Sequence, residues 1–258
     1  MKPKTAQGRK LQKFNLVMGL IHLVQALILF AILNYSFKIP ILTRFFDKTA
    51  QGGYTVITER LFDVPIALIA PIFLLIAASF HLFIASPLYT RKYEQNIKNG
   101  INPIRWWEYS FSSSLMLVGL MMMSGLNELP SVVFVFTLNW VMNMMGLVME
   151  RYNQLTERTK WLPYNIGVVA GLVPWVIGFI YFWVNTNNVA DSIPSWAKFG
   201  FVLTFIFFNS FAINMLLQYK KIGKWKDYVY GEKGYIWLSL IAKSALAWII
   251  VLGTLGQK

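Results

Sequence analysis

The sequence predicts an all-α membrane protein built from seven transmembrane helices. Hydrophobic residues fill 56% of the 258 positions and charged residues only 14%, against ~25% charged in an average soluble domain. Apolar stretches of about 20 residues, the length that crosses a bilayer, recur along the chain. Cysteine is absent, which removes a secreted disulfide scaffold, and so apolar a chain is not disordered. A net charge of +13 would suit a polyanion partner on a soluble surface. In a membrane protein the same residues mark the loops that stay in the cytoplasm.

The first span, 14–36, exceeds the ~7–15-residue core of a signal peptide and lacks a small-residue cleavage pattern, so it reads as a helix. The second covers 64–89. Only Asn127-Glu128-Leu129-Pro130 divides the third, 104–124, from the fourth, 131–150. Asn and Pro there are turn residues, and a tight helical hairpin follows. Spans at 163–184, 196–219 and 235–256 complete the set. The longest connection, 37–63, carries Gly52-Gly53 and then Tyr54-Thr55-Val56-Ile57-Thr58, a turn signal before a β-branched and aromatic run. A short extracellular β-ribbon is expected there, packed on a partner subunit or, equally, as a lid on its own helices. With no internal repeat or second soluble domain, residues 1–258 read as one domain.

The connections sort the 24 basic residues. Lys2, Lys4, Arg9, Lys10 and Lys13 precede the first span, and Arg91, Lys92, Lys98 and Arg105 lie in the second loop and the helix start after it. Arg151, Arg158 and Lys160 occupy the fourth loop, and Lys220, Lys221, Lys224, Lys226 and Lys233 the sixth. The opposite side holds Lys38, Arg44, Lys48, Arg60, Lys198 and Lys258. The positive-inside rule then places the N-terminus in the cytoplasm and, after seven crossings, the C-terminus outside.

Lys243 belongs to neither side. It falls about eight residues into the seventh span, ~12 Å along the axis at 1.5 Å per residue, too deep for an easy reach to the interface. A buried ammonium needs a counter-charge. Of the eleven acids, Asp47, Glu59, Asp63, Glu94, Glu128 and Asp191 are assigned to loops and turns. Glu150 and Glu157 flank arginines, and Asp227 and Glu232 fall in the basic sixth loop. Glu108 is left as the one acid expected inside a span, ~6 Å in by the same rise and in the same half of the membrane as Lys243. Such a pair is costly to desolvate and makes a weak device for stability alone. A lysine in this setting suits an imine with an aldehyde, whose protonated form keeps the charge, and the 16% aromatic content can wall a pocket for a conjugated chain.

Seven spans, Ala242-Lys243-Ser244 in the last, and Arg105-Trp106-Trp107-Glu108-Tyr109-Ser110 opening the third resemble the heliorhodopsins, retinal photoreceptors of inverted membrane orientation. The resemblance covers all seven spans. It implies a rhodopsin-like bundle, all-trans retinal joined to Lys243 as a protonated Schiff base, and Glu108 as its counterion. On the glutamate's helical face Ser112, Ser113 and Met116 should line the chromophore, with Tyr109 alongside. Ser112 is expected to hydrogen-bond Glu108 or the Schiff-base region, and Ser239, one turn before Lys243, is the second polar neighbour. For these serines the competing role is back-bonding to their own helix.

His22 and His81, the only histidines, both fall in spans. The resemblance sets them beside the Schiff base, where they could take up its proton; two imidazoles without a third ligand make a weak metal signal. Asn139, Met142, Phe208 and Asn209 are further pocket candidates, while the methionine runs 121–123 and 142–145 read as core filler. Related light-driven pumps carry a second acid eleven residues beyond the counterion and another four before the lysine. Here those positions are Gly119 and Ser239. The expected role is a light sensor rather than an enzyme or a pump, a homodimer in the lipid bilayer whose basic face could meet a cytoplasmic signalling partner. A light-gated channel or transporter is the alternative, with Asn139, Asn143, Asn209 and Asn214 as polar lining unless they simply bridge helices.

Overall fold

The computed structural model describes residues 5–154, 156–188 and 194–255. Lys2, Lys4, Asp191 and Lys258, and the end of the last expected span at Gly256, lie outside the described residues. The chain is mostly helical: α1 (Ala6–Ile32), α2 (Ile69–Ala85), α3 (Thr90–Lys98), α4 (Pro103–Met123), α5 (Leu129–Asn153), α6 (Leu162–Asn188), α7 (Ser195–Tyr219) and α8 (Tyr228–Leu255). Strands β1 (Lys38–Lys48) and β2 (Tyr54–Pro65) join α1 to α2, with a 3-10 turn at Ile66–Leu68. Six helices are long and apolar enough to cross a membrane: α1, the Ile66–Ala85 stretch, α5, α6, α7 and α8 through Gly253. They mark a multi-pass membrane protein. α4, at 21 residues, carries Arg105 and Glu108.

Local chemistry sets the helix starts. Thr5 caps α1 through its side chain, which accepts from the Gly8 N–H at 3.0 Å. Asn102 does the same for α4, ahead of Pro103, whose missing N–H costs nothing in a first turn. Asp227 accepts from the Val229 N–H at 2.9 Å and opens α8. That start lies well before 235, and α5 runs past 150 to Asn153, so the expected spans were too short at both these ends. Hydrophobic windows stop at the first charge, whereas a capped helix continues as long as its backbone bonds do. The second span errs the other way. Val64 and Pro65 belong to β2, and the helix stops at Ala85 before a Ser86-Pro87 break.

β1 and β2 pair antiparallel from Lys38↔Pro65 to Lys48↔Tyr54, with an irregularity at Ile41/Leu42. Gly52 turns the chain at φ 82, a conformation that glycine adopts without strain. The ribbon is tied to the α4–α5 turn, where the Leu42 N–H donates to the Asn127 carbonyl at 3.0 Å and Arg44 pairs with Glu128 at 2.7 Å.

In the bundle α4 packs between α2 and α5, α8 packs against α1, α2 and α7, and Trp175 of α6 meets Phe201, Phe205 and Phe208 of α7 edge-on. The main core fills the half of the bundle nearest the ribbon, where Leu29, Ile66, Leu117, Met121, Leu246 and Ile250 are buried. The half nearest α3 is different. There, buried polar and charged side chains share single helical faces with a few apolar positions: Arg105, Tyr109, Ser112 and Met116 on α4, Asn139, Asn143, Gly146 and Glu150 on α5, and Glu232, Ile236, Ser239 and Lys243 on α8. Each set repeats every three or four residues, one stripe of a helix.

Candidate functional site

Lys243 is 2% exposed and sits ~22 Å along α8 from Tyr228. Its side chain leans back toward the helix start, as helical side chains do. Nζ donates to Ser239 Oγ at 2.6 Å and lies 3.1 and 3.3 Å from Glu108 Oε1 and Oε2. Glu108 is equally buried, at 3%. The Tyr109 ring centroid lies 4.8 Å from Nζ, and its hydroxyl donates to the Tyr235 carbonyl.

A cavity of about 40 Å³ opens beside the amine, walled by Tyr109, Ser113, Met116, Met142, Asn143, Phe208, Phe211 and Ala242. Five of these residues, Tyr109, Met142, Asn143, Phe208 and Phe211, also wall a second cavity of about 100 Å³ between α5, α6 and α7, with Trp106, Gly171 and Trp175. The two continue one apolar groove away from Nζ. Asn209 lines the outer part and back-bonds to the Phe205 carbonyl. Asn139 is not among the wall residues. With Asn143 it donates to Ser113 at 2.8 and 3.0 Å, and it also reaches Ser114. These amides bridge α4 to α5, and Asn214 bridges α7 to α8 through the Gly231 carbonyl.

The expected Ser112 hydrogen bond is not formed: its hydroxyl is fully buried without a partner among the described residues. Ser113 donates to its own helix at Tyr109. The histidine rings stack at 5.7 Å with planes 19° apart. His81 Nδ1 meets Asn15 Oδ1 at 2.8 Å, whereas neither His22 nitrogen has a partner among the described residues.

Sequence reasoning missed a second cluster. Glu150, set aside as the neighbour of Arg151, and Glu232, assigned to the sixth loop, are 2% and 1% exposed, and Arg105, counted among the cations of the connections, is 4% exposed. Arg105 donates one nitrogen to each carboxylate, and its guanidinium lies 3.9 Å from the Tyr235 ring centroid. Glu150 also accepts from the Asn102 N–H at 2.8 Å, Trp106 Nε1 at 2.7 Å and Tyr228 OH at 2.8 Å. Glu232 accepts from Tyr93 OH at 2.9 Å and Asn102 Nδ2 at 2.7 Å. Among the described residues Glu108 is therefore one of three buried carboxylates and Lys243 one of two buried cations. The 4-3-4 spacing from Glu232 to Lys243 and from Asn139 to Glu150 was the signal available: each acid shares a helical stripe with residues already assigned to the site.

The structure is thus a multi-pass helical bundle with a buried lysine–carboxylate pair beside an aromatic-lined groove. The heliorhodopsin family model matches residues 11–255, and the chain belongs to that family of retinal photoreceptor-type proteins. A comparison with curated protein sequences gave no match.

Proposed function

We propose that the protein is a light sensor that binds all-trans retinal through Lys243, with Glu108 as counterion. The observation that carries this reading is the Lys243–Glu108 pair, fully buried at the end of the apolar groove. A structural ion pair gains little net stability once both charges are desolvated, and a groove leading to it has no part in such a role. The residues present fit the group. Met116, Met142, Phe208 and Phe211 give a polyene apolar contact, and at Gly171 a Cβ would stand 2.4 Å from Met142 Sδ, so the missing side chain leaves the methionine its place in the wall. Bound there, retinal supplies a cation that light isomerises. Ser239 and Glu108 orient the proton on Nζ, and Tyr109 closes the near wall.

We further infer that α4 is the seventh crossing, since it packs inside the bundle between α2 and α5, and that residues 1–258 form one retinal-binding domain. Arg91, Lys92 and Lys98 of α3, with Arg151, Lys220 and Lys224, gather at the end opposite the ribbon, which supports a cytoplasmic N-terminus, an extracellular ribbon and an extracellular C-terminus. The exposed ribbon side chains Phe46 and Tyr54, 80% and 72% exposed, suit contact with a second copy in a homodimer, and the basic end suits a cytoplasmic signalling partner. Conduction of ions finds less support, because Asn139, Asn143 and Asn214 spend their amides on helix bridges.

Protein purified with retinal should absorb visible light, and Lys243→Ala should abolish the band; a pigment in that variant would refute the attachment. Glu108→Gln should move the band to longer wavelength, because the counterion stabilises the ground-state cation, and an unmoved band would remove Glu108 from its role. A slow photocycle without photocurrent in voltage-clamped membranes is the sensor's signature, and a photocurrent the channel's.

A further inference from the structure

The buried charges do not balance. Among the described residues Lys243 and Arg105 face Glu108, Glu150 and Glu232, two cations against three carboxylates. In a low-dielectric interior a surplus negative charge is costly, so one carboxylate is the natural place for a proton to settle when another group releases one. The geometry points to which. A cavity of about 20 Å³ is lined by Asn15, His81, Asn102, Arg105, Glu108 and Glu232. A water molecule needs ~10–15 Å³ and two to four polar partners, so this space suits one water bridging Glu108 to Glu232. A second connection skirts the cavity: His81 meets Asn15 at 2.8 Å, Asn15 donates to Tyr93 OH at 3.4 Å, and Tyr93 donates to Glu232 at 2.9 Å. Glu150 has no place in that wall and lines a separate, larger cavity with Tyr228.

We propose that Glu232 takes up the proton that leaves Lys243 Nζ after illumination, through the small cavity it shares with Glu108 and His81. The proposal rests on the retinal reading. The N–H bond at Nζ breaks and leaves its electron pair on nitrogen; an O–H bond forms on Glu232. The cation at Nζ and the anion at Glu232 are both neutralised, and net charge is conserved. The groups facing Glu232 are Arg105 and Asn102 at the start of α4, Tyr93 on α3, Glu150 of α5 beyond Arg105, and, across the cavity, Glu108, Tyr109, His81 and Asn15. Among them Glu108 is already committed to Nζ, and His81 has one nitrogen committed to Asn15. Protonated Glu232 no longer holds Arg105, which is left to Glu150 and Tyr228 in the wall of the larger cavity. Loss of charge beside the chromophore thereby becomes a rearrangement at the basic end of the bundle.

Light-induced difference infrared spectroscopy on the full-length pigment in lipid nanodiscs tests this. A carboxylic-acid C=O band should rise as the visible band of the protonated pigment decays. Glu232→Gln should remove that infrared band and slow the decay by ~100-fold or more, the low end of what a positioned acid–base group contributes. Glu150→Gln should keep the band. Tyr93→Phe should shift its frequency, because it removes one hydrogen bond to the carboxyl; it serves where Glu232→Gln does not fold. Survival of the band in Glu232→Gln, its loss in Glu150→Gln, an unshifted band in Tyr93→Phe, or no carboxyl band in the wild type overturns the proposal. Absence of any visible pigment overturns the retinal reading instead. In retinal-free protein, a pH titration followed in the same infrared region should contain one carboxyl that Glu232→Gln removes and Tyr93→Phe shifts; an unchanged titration in both also overturns it.

Discussion

Arg105→Met is the sharpest test of how the second cluster is held together. Arg105 donates to both Glu150 and Glu232 and lies against the Tyr235 and Trp106 rings, at 3.9 and 4.9 Å. Removing one member of a buried ionic group costs ~3–5 kcal/mol, because the partner charges stay buried without compensation. Two carboxylates are stranded here, so the upper part of that range applies. At ~2–4 °C per kcal/mol for a chain of this size, the midpoint of heat unfolding should fall by ~10–20 °C. Tryptophan fluorescence in nanodiscs at a fixed scan rate reads the shift, the rate being fixed because membrane proteins often unfold irreversibly. The triple variant Arg105→Met, Glu150→Gln, Glu232→Gln removes the stranded charges as well and should recover at least half of the loss. A single variant no less stable than the triple one would show that charge imbalance is not the cause, and the account of the cluster would fail.

Two further predictions concern packing and pH. At Gly146 an added Cβ would lie 2.3–2.6 Å from ring atoms of Trp106, a rigid neighbour held by its bond to Glu150, so Gly146→Ala should cost ~1–3 kcal/mol by overpacking. Trp106→Leu in the same chain should relieve part of that cost, and strictly additive losses in thermal unfolding would refute the clash. On the surface, Thr5 donates its hydroxyl and its N–H to Glu94 Oε1, at 2.5 and 3.1 Å. The hydroxyl bond is the main cause of a Glu94 carboxyl held below its ordinary value of 4.5, helped by the backbone bond and Lys98 and opposed by desolvation. A depressed carboxyl stabilises above its unfolded value and loses that contribution as pH falls through the folded one. Protection of the Thr5 and Gly8 amides, as exchange relative to the intrinsic rate at each pH, should therefore fall below about pH 4.5, and Glu94→Gln should remove that pH dependence; an equal fall in the variant would rule Glu94 out as its source.

The pair at the chromophore end was legible because composition isolates it. Lys243 interrupts an apolar run, and Glu108 follows a capped helix start, so each is visible as an exception. The Arg105–Glu150–Glu232 cluster was not legible by the same logic, since every member lies near a charged loop where a solvated role is the ordinary one. What hid them was the assumption that helix and hydrophobic window end together. α8 begins at Tyr228 and α5 ends at Asn153, so Glu232, counted as a loop residue, and Glu150, set aside at the end of its span, both lie on interior stripes. Ser112 shows a different limit: its face follows from helical spacing, yet its hydroxyl partner depends on side-chain positions on other helices, which no periodicity encodes.

The two halves of the bundle argue about function in opposite directions. Toward the ribbon, Leu246, Ile250 and Val251 follow Lys243 on α8, and Leu117, Leu120 and Met121 follow Met116 on α4, all buried in the main core. Among the described residues the buried charged side chains are Arg105, Glu108, Glu150, Glu232 and Lys243. The small cavity shared by Arg105, Glu108 and Glu232 and the larger one lined by Glu150 both lie on the α3 side of the lysine. Vectorial transfer needs exchangeable groups on both sides of the chromophore. Gly119, where a pump relative carries an acid, stands against Ile69, whose Cγ2 would be 3.0 Å from an added Cβ, so even the space for such a group is taken. Lys243 thus has an apolar core on one side and a hydrogen-bonded acidic cluster on the other. On the proposed reading, that arrangement would return the charge to the same side of the membrane, as a sensor requires and a pump does not.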